Sequence, residues 1–179
     1  MKKIKEENNV KKRNNKLIVL LIIFVIAVGI TYASYRLDNS SSSAAAVIDG
    51  IECNTNEFAT LHTHTHLDFY VNANHLTVPE RIGILDNKCL YWLHTHDASG
   101  IIHIESPKSE DFTLAQFIDI WKNTGDFPIS GATPKVFVNG QLANVTLDSI
   151  KINKHDEIAL VYGTVPSAIP SFYQFDPGE

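Results

Sequence analysis

Six of the eight histidines in this 179-residue chain stand in two short blocks, and both blocks carry the tetrapeptide Leu-His-Thr-His. The first reads Leu61-His62-Thr63-His64-Thr65-His66. The second opens at Leu93-His94-Thr95-His96 and runs on through Gly100-Ile101-Ile102-His103-Ile104-Glu105. Alternate residues of an extended chain point to the same side, so each block sets its imidazoles on one face. Imidazoles arrayed in this way suit a first-row transition metal, with copper or zinc the expected ion. The candidate ligands are His62, His64, His66, His94, His96 and His103.

Two acidic residues accompany them. Glu105 and Asp97 are placed to accept hydrogen bonds from ligand ring N–H groups. Glu105 has a second reading as a general base, and Asp97 a second reading as the cap of the turn that it begins. The only methionine is Met1, which excludes a blue-copper centre with an axial Met and a thioether-rich copper carrier. His75 and His155 are isolated and read as structural or surface residues, His155 in a solvated turn. A solvated Thr/His face or a pH-sensing surface would also use histidine, but clustering on adjacent strands favours a metal. No nucleophile constellation and no glycine-rich nucleotide loop is present.

The blocks need strands to hold them. Residues 61–71 alternate apolar residues and threonines with His62, His64, His66, Asp68 and Tyr70, the pattern of a strand with one imidazole face. Residues 72–74 form a turn, and 75–78 return as a second strand before Pro79. Residues 90–96 and 101–105 form a hairpin closed by Asp97-Ala98-Ser99-Gly100, which sets His96 opposite Ile101, His94 opposite His103 and Trp92 opposite Glu105. Opposed residues have Cβ atoms about 4.5–5.5 Å apart, so His94, His96 and His103 share one face. A slip of one residue would turn His103 away.

One helix is specified by its start. Thr113 and Gln116 make a capping box, Phe112 and Phe117 a staple, and Leu114, Phe117, Ile118 and Trp121 an apolar stripe that ends at Gly125. Asn139-Gly140 after 135–138 is a two-residue hairpin signal. Residues 157–163 read as a buried strand introduced by the turn His155-Asp156, and 164–179 as an irregular tail. The expected fold is α+β, with a mostly antiparallel sheet and one main helix.

The full chain divides by charge. Residues 1–16 carry seven basic and two acidic residues, a net of +5, whereas 36–179 carry 8 Lys/Arg and 18 Asp/Glu, a net of −10. Between them, residues 17–35 contain no charge, and about twenty apolar residues cross a bilayer as a helix. The expectation is an N-terminal transmembrane anchor over 17–35 with residues 1–16 in the cytoplasm. A signal peptide cleaved near residues 31–33 is the competing reading. Residues 36–46 form a Ser/Ala-rich linker, and the folded domain, 47–163, lies outside the cytoplasm. There Cys53 and Cys89 should form a disulfide. An acidic exported domain argues against nucleic acid as a partner.

Hairpin, helix and further strands follow the order of a β-grasp sheet. Phe137-Val138-Asn139-Gly140 through Asp156-Glu157-Ile158-Ala159-Leu160-Val161 resembles the closing half of ubiquitin-like sulfur-carrier domains. The chain ends Asp176-Pro177-Gly178-Glu179 without the Gly-Gly of that family, so the resemblance implies the fold and not the activity. The histidine blocks, with Phe112-Thr113-Leu114, also resemble an uncharacterised family of prokaryotic exported or membrane-anchored proteins over residues 50–163. That resemblance implies a single unit containing both blocks and supplies no reaction. Three readings stay open: a metal-binding domain for sensing, delivery or holding; a metalloenzyme with a three-histidine site; and a structural module braced by metal.

Overall fold

The computed structural model describes residues 21–32, 45–86 and 88–178, and the chain divides into two units, Met1–Ala44 and Ala45–Glu179. In the first unit, residues 21–32 form helix α1, and its large apolar side chains, Leu21, Phe24 and Ile30 among them, are exposed. No helix among the described residues is long and apolar enough to cross a membrane. The basic segment 1–16, residues 17–20 and 33–35 of the expected anchor, and linker residues 36–44 lie outside the described residues.

The second unit contains, in chain order, β1 (Cys53–Asn54), β2 (Leu61–Val71), β3 (Asn74–Leu76), β4 (Ile84–Leu85), β5 (Cys89–Tyr91), β6 (Leu93–His94), β7 (Ile101–Ser106), helix α2 (Leu114–Thr124), β8 (Lys135–Val138), β9 (Gln141–Ala143) and β10 (Glu157–Tyr162). Seven strands form one sheet in the order β6-β7-β2-β10-β8-β9, with β3 also on β2, and β1-β5-β4 form a smaller one. All the pairings are antiparallel except that of β2 with β10. The fold is α+β, as the residue patterns imply.

The core lies on one face of the large sheet. Leu67 and Phe69 of β2, Ile102 and Ile104 of β7, and Ile158 and Leu160 of β10 are buried there with Leu114, Phe117, Ile118 and Trp121 of α2. Phe69 and Trp121 join the two layers with ring centroids 5.4 Å apart. The Thr113 hydroxyl accepts from Gln116 N–H and the Gln116 side chain accepts in return, completing the capping box. Gly125 ends the helix in extended backbone, donating its N–H to Trp121 O at 2.8 Å. Asn139 and Gly140 both have positive φ, 50° and 76°, as the tight turn between β8 and β9 requires.

The expected strand 90–96 is divided. β5 pairs with β1 and β4 in the smaller sheet, while Leu93 and His94 pair with β7 and Trp92 O accepts from Glu105 N–H at 2.8 Å, as expected. After His94 the chain leaves β7: Thr95 N–H donates to Ile82 O at 3.0 Å, and Arg81 N–H to Thr95 O at 2.9 Å. The expected pairing of His96 with Ile101 is therefore absent, and Ile101 pairs with His66 of β2, on the other side of β7. Two features draw β5 away, its ladder with β1 and the disulfide between Cys53 and Cys89 that ties it there. Gly100 turns the chain back with φ +90°, and a Cβ at that position would stand 2.7 Å from Leu67 O.

The Cys53–Cys89 disulfide spans 36 positions. In the chain-entropy account, opening such a loop removes about 4 kcal/mol of stability. Urea unfolding of the full chain with and without a phosphine reductant should show a clear drop in midpoint on reduction. Superimposable curves would contradict this role for the cross-link.

Candidate metal centre

Strand alternation sends every second residue away from the core, and on three adjacent strands those residues include His62, His64, His94, His103 and Glu105. The ladder sets His64 opposite His103 and His62 opposite Glu105 across β2 and β7, and His94 opposite His103 across β6 and β7. His96 follows in the segment that leaves β6. The two blocks are thus brought together: the His103 ring centroid lies 4.4 Å from that of His64, 4.3 Å from that of His96 and 5.5 Å from that of His94.

The nitrogen atoms face one another. His94 Nδ1 lies 2.8 Å from Tyr91 O. A carbonyl only accepts, so Nδ1 carries the proton and the lone pair resides on Nε2. That Nε2 lies 3.2 Å from His96 Nε2. His64 Nε2 and His103 Nδ1 are 3.0 Å apart. Ligands at about 2.0–2.1 Å from a tetrahedral ion stand about 3.3 Å from one another, so each pair has close to the spacing of one edge of a coordination sphere. A ligand imidazole that donates its other N–H to a backbone carbonyl is the usual arrangement around a bound ion.

Glu105 belongs to this cluster. It is 3% exposed, and its Oε1 lies 3.3 Å from His62 Nε2 and 3.8 Å from His103 Nδ1. Its Oε2 is buried without a hydrogen-bond partner among the described residues, a costly condition for a carboxylate unless a cation meets it. Burial raises the Glu105 carboxyl above its ordinary range, the nearby Glu57 raises it further, and His62 opposes both. Burial lowers His94 to about 4, helped by His96, His62 and His64. Burial likewise lowers His103 to about 3, with the surrounding imidazoles adding to it. At neutral pH both rings are uncharged and can donate lone pairs. His64 and His94 are buried, whereas His62 and His96 are 49% and 44% exposed and form an open rim.

Two overlapping donor sets result, His94, His96, His103 and Glu105 in one and His62, His64 and His103 in the other, each with ligand atoms within 4.8 Å of one another. Either set could hold a metal ion. With both cysteines in the disulfide, the donors are imidazole nitrogen and carboxylate oxygen.

His66 stands apart from the other five candidate histidines. Its Nδ1 lies 2.7 Å from Glu157 Oε2, its Nε2 lies 2.9 Å from Ser99 O, and its ring stacks on Tyr173 at 3.8 Å. The register explains this, because His66 opposes Ile101 on one side and Glu157 on the other. It forms a separate group with Asp68 and Glu157, whose ligand atoms also lie within 4.8 Å of one another and could hold a metal ion. Burial lowers its pKa, but the hydrogen bond and charge of Glu157, the Ser99 carbonyl and Asp68 together raise it above the ordinary value. Glu157 is also raised, by burial first and by Asp68, against the pull of His66. Of the two roles open to Asp97, the structure has the turn cap: its Oδ1 accepts from Ser99 N–H at 2.9 Å. His75 pairs with Asp68 at 2.8 Å, and exposed His155 stacks on Phe175.

Glu57, 3.7 Å from His96 Nε2, and Glu157 had no place in the expected site. Nothing in the sequence marks Glu57. Glu157 carried a signal in being a carboxylate at the head of a buried strand, since such a group needs a partner. Comparison with models of protein families, with curated proteins and with solved structures found no match.

Two outcomes follow. His94 and His103 have folded-state pKa values below that of the unfolded chain, so as pH falls below about 6.5 the unfolded state binds protons first. Their effect on stability is absent above that pH and grows toward the folded values, reaching about 2 kcal/mol of destabilisation for each at pH 5. His66 has the opposite sign, adding stability below about 6.5 that is lost as pH rises through its folded pKa. Metal-free protein should therefore unfold at lower urea at pH 5 than at pH 7, and equal midpoints would refute the low values. Separately, Glu157→Ala strips a buried partner from His66 and should cost about 3–5 kcal/mol. Imidazole NMR of this variant should also show the His66 pKa fall.

Proposed function

We propose that this chain is a membrane-anchored, extracytoplasmic protein that binds copper or zinc through clustered strand histidines for holding, delivery or sensing, without turnover of a substrate. The observation that carries the reading is the convergence of His62, His64, His94, His96 and His103 around the buried carboxylate of Glu105. Five imidazoles and a carboxylate, without thiolate or thioether, suit copper(II) and zinc. A rim of two half-exposed histidines beside a buried pair gives an ion a route in and out, as delivery or sensing requires.

Location rests on separate support. The uncharged run 17–35 follows a basic segment and precedes an acidic domain, and a disulfide suits an oxidising compartment. The net charge of −10 beyond the run disfavours nucleic acid as a partner. The sheet order supports a β-grasp-like reading: β2 and β10 lie parallel at the centre, β7 and β8 flank them antiparallel, and α2 follows the first pair of strands in sequence. Membership of the prokaryotic exported family suggested by the histidine motifs agrees with this placement.

Equilibrium dialysis of the purified full-length chain against copper(II) or zinc(II), followed by elemental analysis, tests the reading. At least one ion should bind per chain, and the paired change His94→Ala with His96→Ala should weaken binding at least tenfold. Uptake below one ion, or affinity indifferent to that pair, would remove the proposal.

A further inference from the structure

The six donors of the centre are divided in a way that one ion does not explain. Two ligands on one ion with bonds of about 2.1 Å stand at most about 4.2 Å apart. The donors here form two overlapping sets, with His94, His96 and Glu105 in one, His62 and His64 in the other, and His103 common to both. We infer that the centre holds two transition-metal ions, one on the His94/His96 pair and one on the His62/His64 pair, with His103 and Glu105 between them. This inference rests on the reading of the cluster as a metal centre.

The close nitrogen pairs carry the argument. In the metal-free chain each pair is held by one proton. His96 Nε2–H donates to His94 Nε2 across 3.2 Å, because His94 already has its proton on Nδ1 against Tyr91 O. A second proton lies between His64 Nε2 and His103 Nδ1 across 3.0 Å. A metal ion takes the place of the proton between two imidazole nitrogens with little movement of either ring, the proton passing to the other nitrogen of its ring or to water, and there are two such places. They belong to opposite sides of His103, whose ring is 4.3 Å from that of His96 and 4.4 Å from that of His64.

The carboxylates fit this arrangement. Glu105 presents Oε1 to His62 at 3.3 Å and to His103 at 3.8 Å, and its Oε2 is buried without a hydrogen bond among the described residues. A carboxylate so placed can give one oxygen to each ion. Glu57, 3.7 Å from His96 Nε2, adds a second negative charge on the open side. Two carboxylates against two divalent cations leave a modest positive excess, and the half-exposed rim keeps that excess in contact with water.

Copper(II) chloride and the full-length chain supply the test, with uptake measured by elemental analysis after dialysis and the bound form examined by electron paramagnetic resonance. The expected result is two copper ions per chain with a magnetically coupled spectrum. His62→Ala with His64→Ala should halve uptake and restore the spectrum of an isolated ion. One ion per chain in the unaltered protein would overturn the inference and leave the proposed function standing, whereas none would overturn both. Two ions with an uncoupled spectrum would also overturn it, since the second would then sit elsewhere. The spectrum of the unaltered protein decides the matter even if the variant fails to fold.

Discussion

The pairing of His64, His103 and His94 across β2, β7 and β6 is the constraint from which the rest of the centre derives. Side chains in a sheet alternate strictly, so a shift of either ladder by one residue would send an imidazole into the apolar core and an isoleucine into the cluster. The register is held on the other face by Leu67, Phe69, Ile102 and Ile104, all buried against α2. Hydrophobic packing on one side thus fixes the positions of polar groups on the other. The helix contributes no ligand, yet it determines where the ligands are.

A sheet face bearing so many polar groups would ordinarily be left to solvent. Here His64, His66, His94, Glu105 and Glu157 are all buried, and the fold compensates by pairing them. His66 and Glu157 pair with each other beside the Ser99 carbonyl and a stacked Tyr173, and Glu157 Oε1 is left buried without a hydrogen bond among the described residues. The cluster around His103 likewise has a carboxylate oxygen left over, and its ring nitrogens face one another. Residues of similar type on one strand therefore divide into two separate groups, each with donors that could hold a cation. The difference lies in what the neighbouring strand places opposite each.

Features built within a few residues were legible in the sequence. The capping box of Thr113 and Gln116 and the Asn139-Gly140 turn are local chemistry, and His94 pairs with His103 in the register that a turn over residues 97–100 implies, although the ladder stops at His94. The convergence of the first block with the second was a matter of strand faces and could be expected without coordinates. Less accessible were features that depend on distant partners. His66 belongs with Glu157, 91 positions away, because β10 lies parallel to β2, and no local rule announces that neighbour. The division between β5 and β6 depends on the smaller sheet to which β5 is cross-linked. Glu57 reaches His96 from an irregular segment that carries no periodicity to read.

The strand that carries Cys89 continues, after a single intervening residue, into the strand that carries His94. The Tyr91 carbonyl that fixes the His94 tautomer is the last residue of that cross-linked strand. Sulfur oxidation and ligand preorganisation are therefore mechanically linked, and the chronology of maturation follows. A chain whose thiols are still reduced would hold His94 less firmly, so disulfide formation precedes an ordered donor set.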